Sequence, residues 1–190
     1  MTQADKWDRI YSQKECAEET ACDVLTQNYH LLPRTGNALD LASGLGANAI
    51  LLAQNNLHTH AWDISSIALS KLKEFANNNN LNVNTSIKDV ENYPPEKNSF
   101  DVICVSNFLH RQSFHKLIEA LNKHGLLFYQ TFIVEKTKDI GPTNPSFLLK
   151  KNELLHLCHG MEILVYREEG IHGNTELGWR NQAMIVAKKR

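Results

Sequence analysis

The chain has 190 residues, 42% of them hydrophobic and 22% charged, with a formal net charge of -1. That length suffices for one α/β domain with a sizeable core. The charge balance excludes a general attraction to nucleic acid or to an anionic membrane, and no apolar run approaches the ~20 residues of a membrane span. Met1 to Trp7 show no apolar core of a signal peptide, so a cytoplasmic location is expected. The four cysteines, Cys16, Cys22, Cys104 and Cys158, form no CxxC pair and stand at no zinc-ligand spacing with a histidine. No disulfide and no metal site is expected, and Cys104 reads as a small core residue.

Trp7 and Tyr11 are four apart and share one face of an N-terminal helix. That helix either packs onto the domain or closes over a ligand as a flap. Residues 15–29 read as an amphipathic helix with Ala17, Ala21, Val24 and Leu25 on one face. Residues 38–42 then read as a short buried strand, and Gly44 and Gly46 as a tight turn that lets backbone approach a ligand. The helix expected over 47–54 would aim its free N–H groups into that turn.

A second strand over 57–62 ends at Asp63, and a serine caps the helix that follows. Residues 82–87 alternate as a third strand, which Lys88-Asp89-Val90 leaves. Residues 100–106 are almost continuously apolar, as a centre strand buried on both faces should be. A helix over 114–122, a strand over 126–134, a helix over 151–158 and strands over 161–167 and 183–187 complete the chain. The last two strands have no helix between them and are expected to pair antiparallel. Alternating strands and helices predict a parallel sheet covered on both faces. One domain is expected over 1–190, with a helical cap over 1–36 and a Rossmann-like core over 37–190.

The ligand follows from three acids. A dinucleotide site wants G-x-G-x-x-G, and here Gly44-Leu45-Gly46 is followed by Ala47-Asn48-Ala49, without the third glycine. Asp40 lies four residues before the first glycine, where a pyrophosphate has no use for a buried acid. A sulfonium cation with a free amino group does, by Coulomb attraction; capping the turn is its other reading. Asp63 suits two ribose hydroxyls. Asp89 suits an exocyclic amine of adenine, with the Val90 N–H on a ring nitrogen, or it caps a loop.

In Leu39 to Asn48, Trp62-Asp63-Ile64-Ser65, Lys88-Asp89-Val90 and Phe100-Asp101-Val102-Ile103, the chain resembles class I S-adenosylmethionine-dependent methyltransferases. The N-terminal Trp-Asp-x-x-Tyr, Asn48, Ala61 to Ser65 and the ending Ala183 to Lys189 are similar to small bacterial enzymes of the tellurite-resistance type. The resemblance implies a seven-stranded, three-layer Rossmann-like sandwich of order 3-2-1-4-5-7-6, with the last strand antiparallel. It implies S-adenosylmethionine contacts at Asp40, Gly44, Gly46, Asp63, Asp89, Val90, Ser106 and Asn107. Asn48, Ile64 and the flap residues Trp7 and Tyr11 belong to the same expected set.

Transfer of an already activated methyl group needs alignment and desolvation more than acid-base help. His110 is the candidate acid, base or orienting group, because its ordinary pKa lies near neutrality. Arg111 is the candidate for an anionic substrate; a core or capping histidine and a surface ion pair are the competing readings. The strand-four exit Ser106-Asn107-Phe108-Leu109 lacks the two prolines of amino-methylating DNA enzymes and the carboxylate of metal-dependent catechol-type enzymes. A small-molecule acceptor is expected, such as a thiol, a chalcogen oxyanion or a small acid. No nucleic acid, membrane or metal is expected, and monomer and homodimer are equally compatible. A non-catalytic S-adenosylmethionine or S-adenosylhomocysteine binder and, more weakly, a nicotinamide-dependent oxidoreductase are the alternatives.

Overall fold

The computed structural model describes residues 2–190. Seven strands form one sheet: β1 Asn37–Leu41, β2 His58–Asp63, β3 Val83–Ile87, β4 Phe100–Ser106, β5 Leu121–Phe132, β6 Glu162–Arg167 and β7 Gln182–Lys188. Their spatial order is β3-β2-β1-β4-β5-β7-β6. The pairs from β3 to β5 are parallel, and β7 runs antiparallel to both β5 and β6. The architecture is the Rossmann-like sandwich that the alternating elements and the resemblance predict. Among the described residues no helix is long and apolar enough to cross a membrane.

Side chains alternate across a strand, so each strand feeds two cores. Leu39, Leu41, Ile103, Val105, Leu127 and Tyr129 pack on one face with α5 (Phe114–Ala120) and α6 (Glu153–Leu157). Ala38, Val102, Cys104 and Phe128 pack on the other with α2 (Asp23–Thr26) and α3 (Ala47–Gln54). Asp40 falls between Leu39 and Leu41 and therefore points to the α3 side. There α4 (Ser66–Asn78) closes a third cluster through Ala68, Leu69 and Leu72 against Leu45 and Ala49.

Local signals set several boundaries. Ser65 caps α4, its Oγ accepting the Ala68 N–H at 3.1 Å. Helix α1 (Gln3–Tyr11) starts in a capping box between Thr2 and Asp5, and the Trp7 and Tyr11 rings stack with centroids 5.7 Å apart.

The helix expected over 15–29 is not continuous. A 3-10 turn at Cys16–Glu18, an extended Cys22, the single turn of α2 and a second 3-10 turn at Tyr29–Leu31 replace it. Polar side chains from distant parts of the chain take the backbone partners a continuous helix would need. Asn48 Oδ1 accepts the Cys22 N–H at 2.9 Å, and Gln130 Oε1 accepts the Val24 N–H at 2.7 Å. Similarly, α5 stops at Ala120, before the expected residue 122. The Asn98 and Ser99 N–H groups close its last carbonyls, and Asn122 donates to Asp101 at 2.8 Å, so residues 121–125 run beside β4 as an irregular start of β5.

Candidate functional site

The parallel strands end together above the turn that joins β1 to α3. The chain leaves β1 through Ala42 at φ 55°, then Gly44 at 52° and Gly46 at 78°. These are left-handed conformations, natural for glycine and strained for alanine. A Cβ on Gly44 would fall 2.5 Å from Tyr11 Oη, and one on Gly46 would fall 2.4 Å from a Leu72 methyl. The glycines therefore admit the protein's own side chains: Tyr11 lies against the turn on one side and Leu72 on the other.

Asp40 is fully buried beneath this turn. It accepts the Ala49 N–H at 3.0 Å and an Asn48 amide N–H at 3.3 Å. Asn48 also donates to Ser106 Oγ at 3.0 Å, which joins the ends of β1 and β4. Burial raises the Asp40 pKa to about 7, against the opposing effect of those two hydrogen bonds. Asp63 is also buried, accepting the Gly44 N–H at 2.7 Å and the Ser65 N–H at 2.8 Å. Desolvation raises its pKa too, opposed by backbone N–H groups. The Tyr11 phenol is pushed up by burial and then by Asp63, Glu19 and Asp40. In the same turn, Ser43 Oγ is buried without a hydrogen-bond partner among the described residues.

Other expected site residues divide by location. Val90 is buried and Ile64 half-buried, while Trp7 remains 36% exposed. Asp89 accepts the Glu91 N–H at 3.1 Å and the Asn92 amide at 2.8 Å, as a loop cap does. Asn107 leaves β4 at φ 55°, and its Oδ1 accepts from Gln182 at 2.8 Å. Gln182 in turn accepts from Gln130 at 2.6 Å. The C-terminal ends of β4 and β5 and the start of β7 are thus tied by neutral amides.

His110 is half-buried, with Nδ1 2.7 Å from Ser113 Oγ. Arg111 is committed elsewhere. It forms a two-pronged pair with Glu153 at 2.6 and 2.9 Å and donates to the Ser146 and Leu148 carbonyls at 2.6 and 2.7 Å. The Glu153 bonds raise its pKa, and it depresses that of Glu153 in return. The structure thus makes Arg111 a clamp on the 146–148 segment, with few donors left for an anionic substrate.

Residues 38–125 match the model of a methyltransferase domain. A probable S-adenosyl-L-methionine-dependent methyltransferase, TehB of Haemophilus influenzae, is 28% identical over 163 residues, 80% of this chain and 57% of the relative. The crystal structure of TehB from Haemophilus influenzae superposes with a TM-score of 0.73 at 26% identity, covering 97% of this chain and 67% of that one. Residues 38–125 thus resemble a methyltransferase domain, and the chain as a whole is similar to a probable S-adenosyl-L-methionine-dependent methyltransferase. A methyltransferase of that dependence from Aquifex aeolicus has the same fold, with a TM-score of 0.70 at 15% identity and full coverage of both chains. The chain spans little more than half the length of the curated relatives it matches.

Within this domain, sequence reasoning missed Ser43, Gln130 and Gln182. Gln130 carried a signal, being a polar residue inside an otherwise apolar central strand. Ser43 and Gln182 carried none, because their roles depend on which strands end side by side.

Proposed function

We propose that the protein transfers the methyl group of S-adenosylmethionine to a small-molecule acceptor at the C-terminal ends of β4 and β5, beside the start of β7. The observation that carries this reading is the pair of buried carboxylates, Asp40 and Asp63, flanking one turn with raised pKa values and, among the described residues, no salt bridge to either. Such a pair attracts a ligand bearing positive charge, whereas a pyrophosphate would add a third negative group. The orphaned Ser43 hydroxyl offers a further polar contact in the same place. The donor set fits a cationic adenosyl amino acid.

Bound S-adenosylmethionine supplies a methyl group already activated on a sulfonium. Asp63 would hold the ribose hydroxyls beside Ile64, and Asp89 with the Val90 N–H would hold the adenine. The backbone at Gly44 and Gly46, with Asn48, Ser106 and Asn107, would position the amino-acid end. Asp40 has no exposed surface, so it contributes its field and its grip on Asn48 without touching the ligand. Trp7 and Tyr11 would cover the site and exclude water.

Around the exit the side chains are neutral amides and hydroxyls, which suits an acceptor that arrives deprotonated, such as a thiolate, a chalcogen oxyanion or a small acid. His110 would orient that acceptor, and Arg111 acts as the loop clamp described above. A small acceptor accords with the net charge of -1.

The test is S-adenosylhomocysteine release over a panel of thiols, selenite, tellurite and small acids, with calorimetry of S-adenosylmethionine and NAD alongside. Binding of S-adenosylmethionine with turnover of one panel class is expected. Binding without any turnover would make the protein a non-catalytic binder, and binding of NAD alone would overturn the cofactor. His110→Ala should lower kcat about tenfold and leave cofactor affinity unchanged; unchanged turnover would return His110 to a structural role.

A further inference from the structure

Two cysteines that are 82 positions apart in the chain meet beneath the proposed cofactor turn. Cys22 Sγ and Cys104 Sγ lie 3.9 Å apart. Cys104 is fully buried in the centre of β4, between β1 and β5, and cannot move without disturbing both. Cys22 is half-buried on an extended strap between two short helical turns. One sulfur is therefore reachable from solvent and adjustable, and the other is fixed behind it. Neither takes part in the proposed transfer. Cys16 and Cys158, the other two cysteines, are both buried as free thiols.

We propose that Cys22 and Cys104 are a peroxide-oxidisable dithiol whose disulfide weakens cofactor binding. The Cys22 thiolate attacks one peroxide oxygen; the O–O bond breaks, and the leaving alkoxide or hydroxide takes up a proton. Cys22 is left as a sulfenic acid. The Cys104 sulfur then attacks the Cys22 sulfur, the S–O bond breaks, and hydroxide departs with the Cys104 proton as water. The dithiol is oxidised by two electrons and the peroxide is reduced by two.

A disulfide requires the sulfurs to close to about 2.0 Å, so the strap at Cys22 must shift toward β4. The Cys22 N–H is bonded to Asn48 Oδ1 at 2.9 Å, and the same Asn48 amide holds Asp40 and Ser106. Movement of the strap loosens that junction. The formation of the disulfide is independent of the proposed function, and its effect on affinity rests on that reading.

The experiment treats the full chain with hydrogen peroxide, removes the oxidant, alkylates free thiols under denaturing conditions and maps peptides without reduction. A linked Cys22–Cys104 peptide is expected, lost on thiol reduction and absent in Cys22→Ser. Cys16→Ser should still form it. A Cys104 that stays alkylatable, or a Cys22 linked to Cys16, overturns the proposal.

Calorimetry with S-adenosylmethionine should then show at least tenfold weaker binding by the oxidised chain, restored by reduction, and no such change in Cys22→Ser. Equal affinity of the two redox forms overturns the coupling. No binding by the reduced chain would fail the cofactor reading, while peptide mapping would still decide the disulfide.

Discussion

Asp40 and Asp63 are buried without a salt-bridge partner among the described residues, whereas Arg111 and Arg180, at the other side of the sheet, are surrounded by acceptors. Arg180 donates to the carbonyls of Leu177, Gly170, His172 and Asn174 at 2.7 to 3.0 Å. It thereby winds the β6–β7 loop around itself, while Arg111 pins the segment after β5. The β1–β2 side thus carries two buried acids whose charge is opposed only by N–H donors. The β5–β7 side is internally satisfied and exposes Val134, Phe147, Ile171 and Leu177 on its loops. Under the proposed function, the first region keeps its acids for a charged ligand, while the second consumes its own charges as a frame.

Removing an acid from the first region should have the largest effect. Asp63→Ala is expected to weaken S-adenosylmethionine binding about 100-fold, since hydrogen bonds to a charged group contribute about 1.5–3 kcal/mol each. The fold should persist by circular dichroism. Affinity within twofold of the parent would remove Asp63 from the binding site.

The opposite outcome is expected in the second region. Arg111→Ala should cost about 2 kcal/mol of stability in urea unfolding, because Glu153 and two carbonyls lose their donor. Arg111→Lys should restore little of it, since a point charge cannot reproduce the two-pronged geometry. Cofactor affinity should hardly change. Intact stability with lost turnover would instead make Arg111 part of the acceptor site and erase the contrast.

The two regions also differed in legibility. Asp40, Asp63 and the Ser65 cap stand at positions that the strand-turn-helix pattern dictates, and α3 has the bounds its sequence suggested, Ala47–Gln54. The Gly46 turn was placed correctly, yet its cause is Leu72, a packing partner on another helix that no local window contains. Residues 15–29 misled for the same reason: their apolar periodicity was genuine, but Asn48 and Gln130 claim the backbone from far along the chain. Arg111 looked available because Glu153, 42 positions away, is invisible as its partner in the sequence.

The buried acids make a pH prediction of about tenfold. Asp40 in the free protein has a pKa of about 7, raised by burial. A cationic ligand favours the ionised form, so binding should lower that pKa and release a proton. Affinity should therefore fall about tenfold from about pH 8 to about pH 6, and level off above. Stability of the free protein shifts the other way. A carboxyl that is harder to ionise when folded penalises the native state as pH rises from the ordinary carboxylate range through 7. Calorimetry in two buffers of different ionisation enthalpy reads the released proton directly, and a flat affinity across that window would remove Asp40 from the electrostatic argument.

The smallest effect is expected at the joint between the flap and the turn. Asp8 on α1 accepts from Ser65 Oγ at 2.5 Å, from the Ile67 N–H at 3.1 Å and from Ser66 Oγ at 3.3 Å. It acts as a second cap for α4, supplied by another helix. The Ser65 hydroxyl is the chief cause of its lowered pKa, so its contribution is present above the ordinary carboxylate range and fades as pH falls through the lowered value. Asp8→Ala should cost about 1 kcal/mol near neutrality, a Tm decrease of about 2–4 °C. Because Ser65 also donates to Asp63, cofactor affinity should weaken about threefold through looser placement of α1 and Tyr11. A stability loss without any change in affinity would show that α1 merely packs on α4, and that Trp7 and Tyr11 do not cover the cofactor.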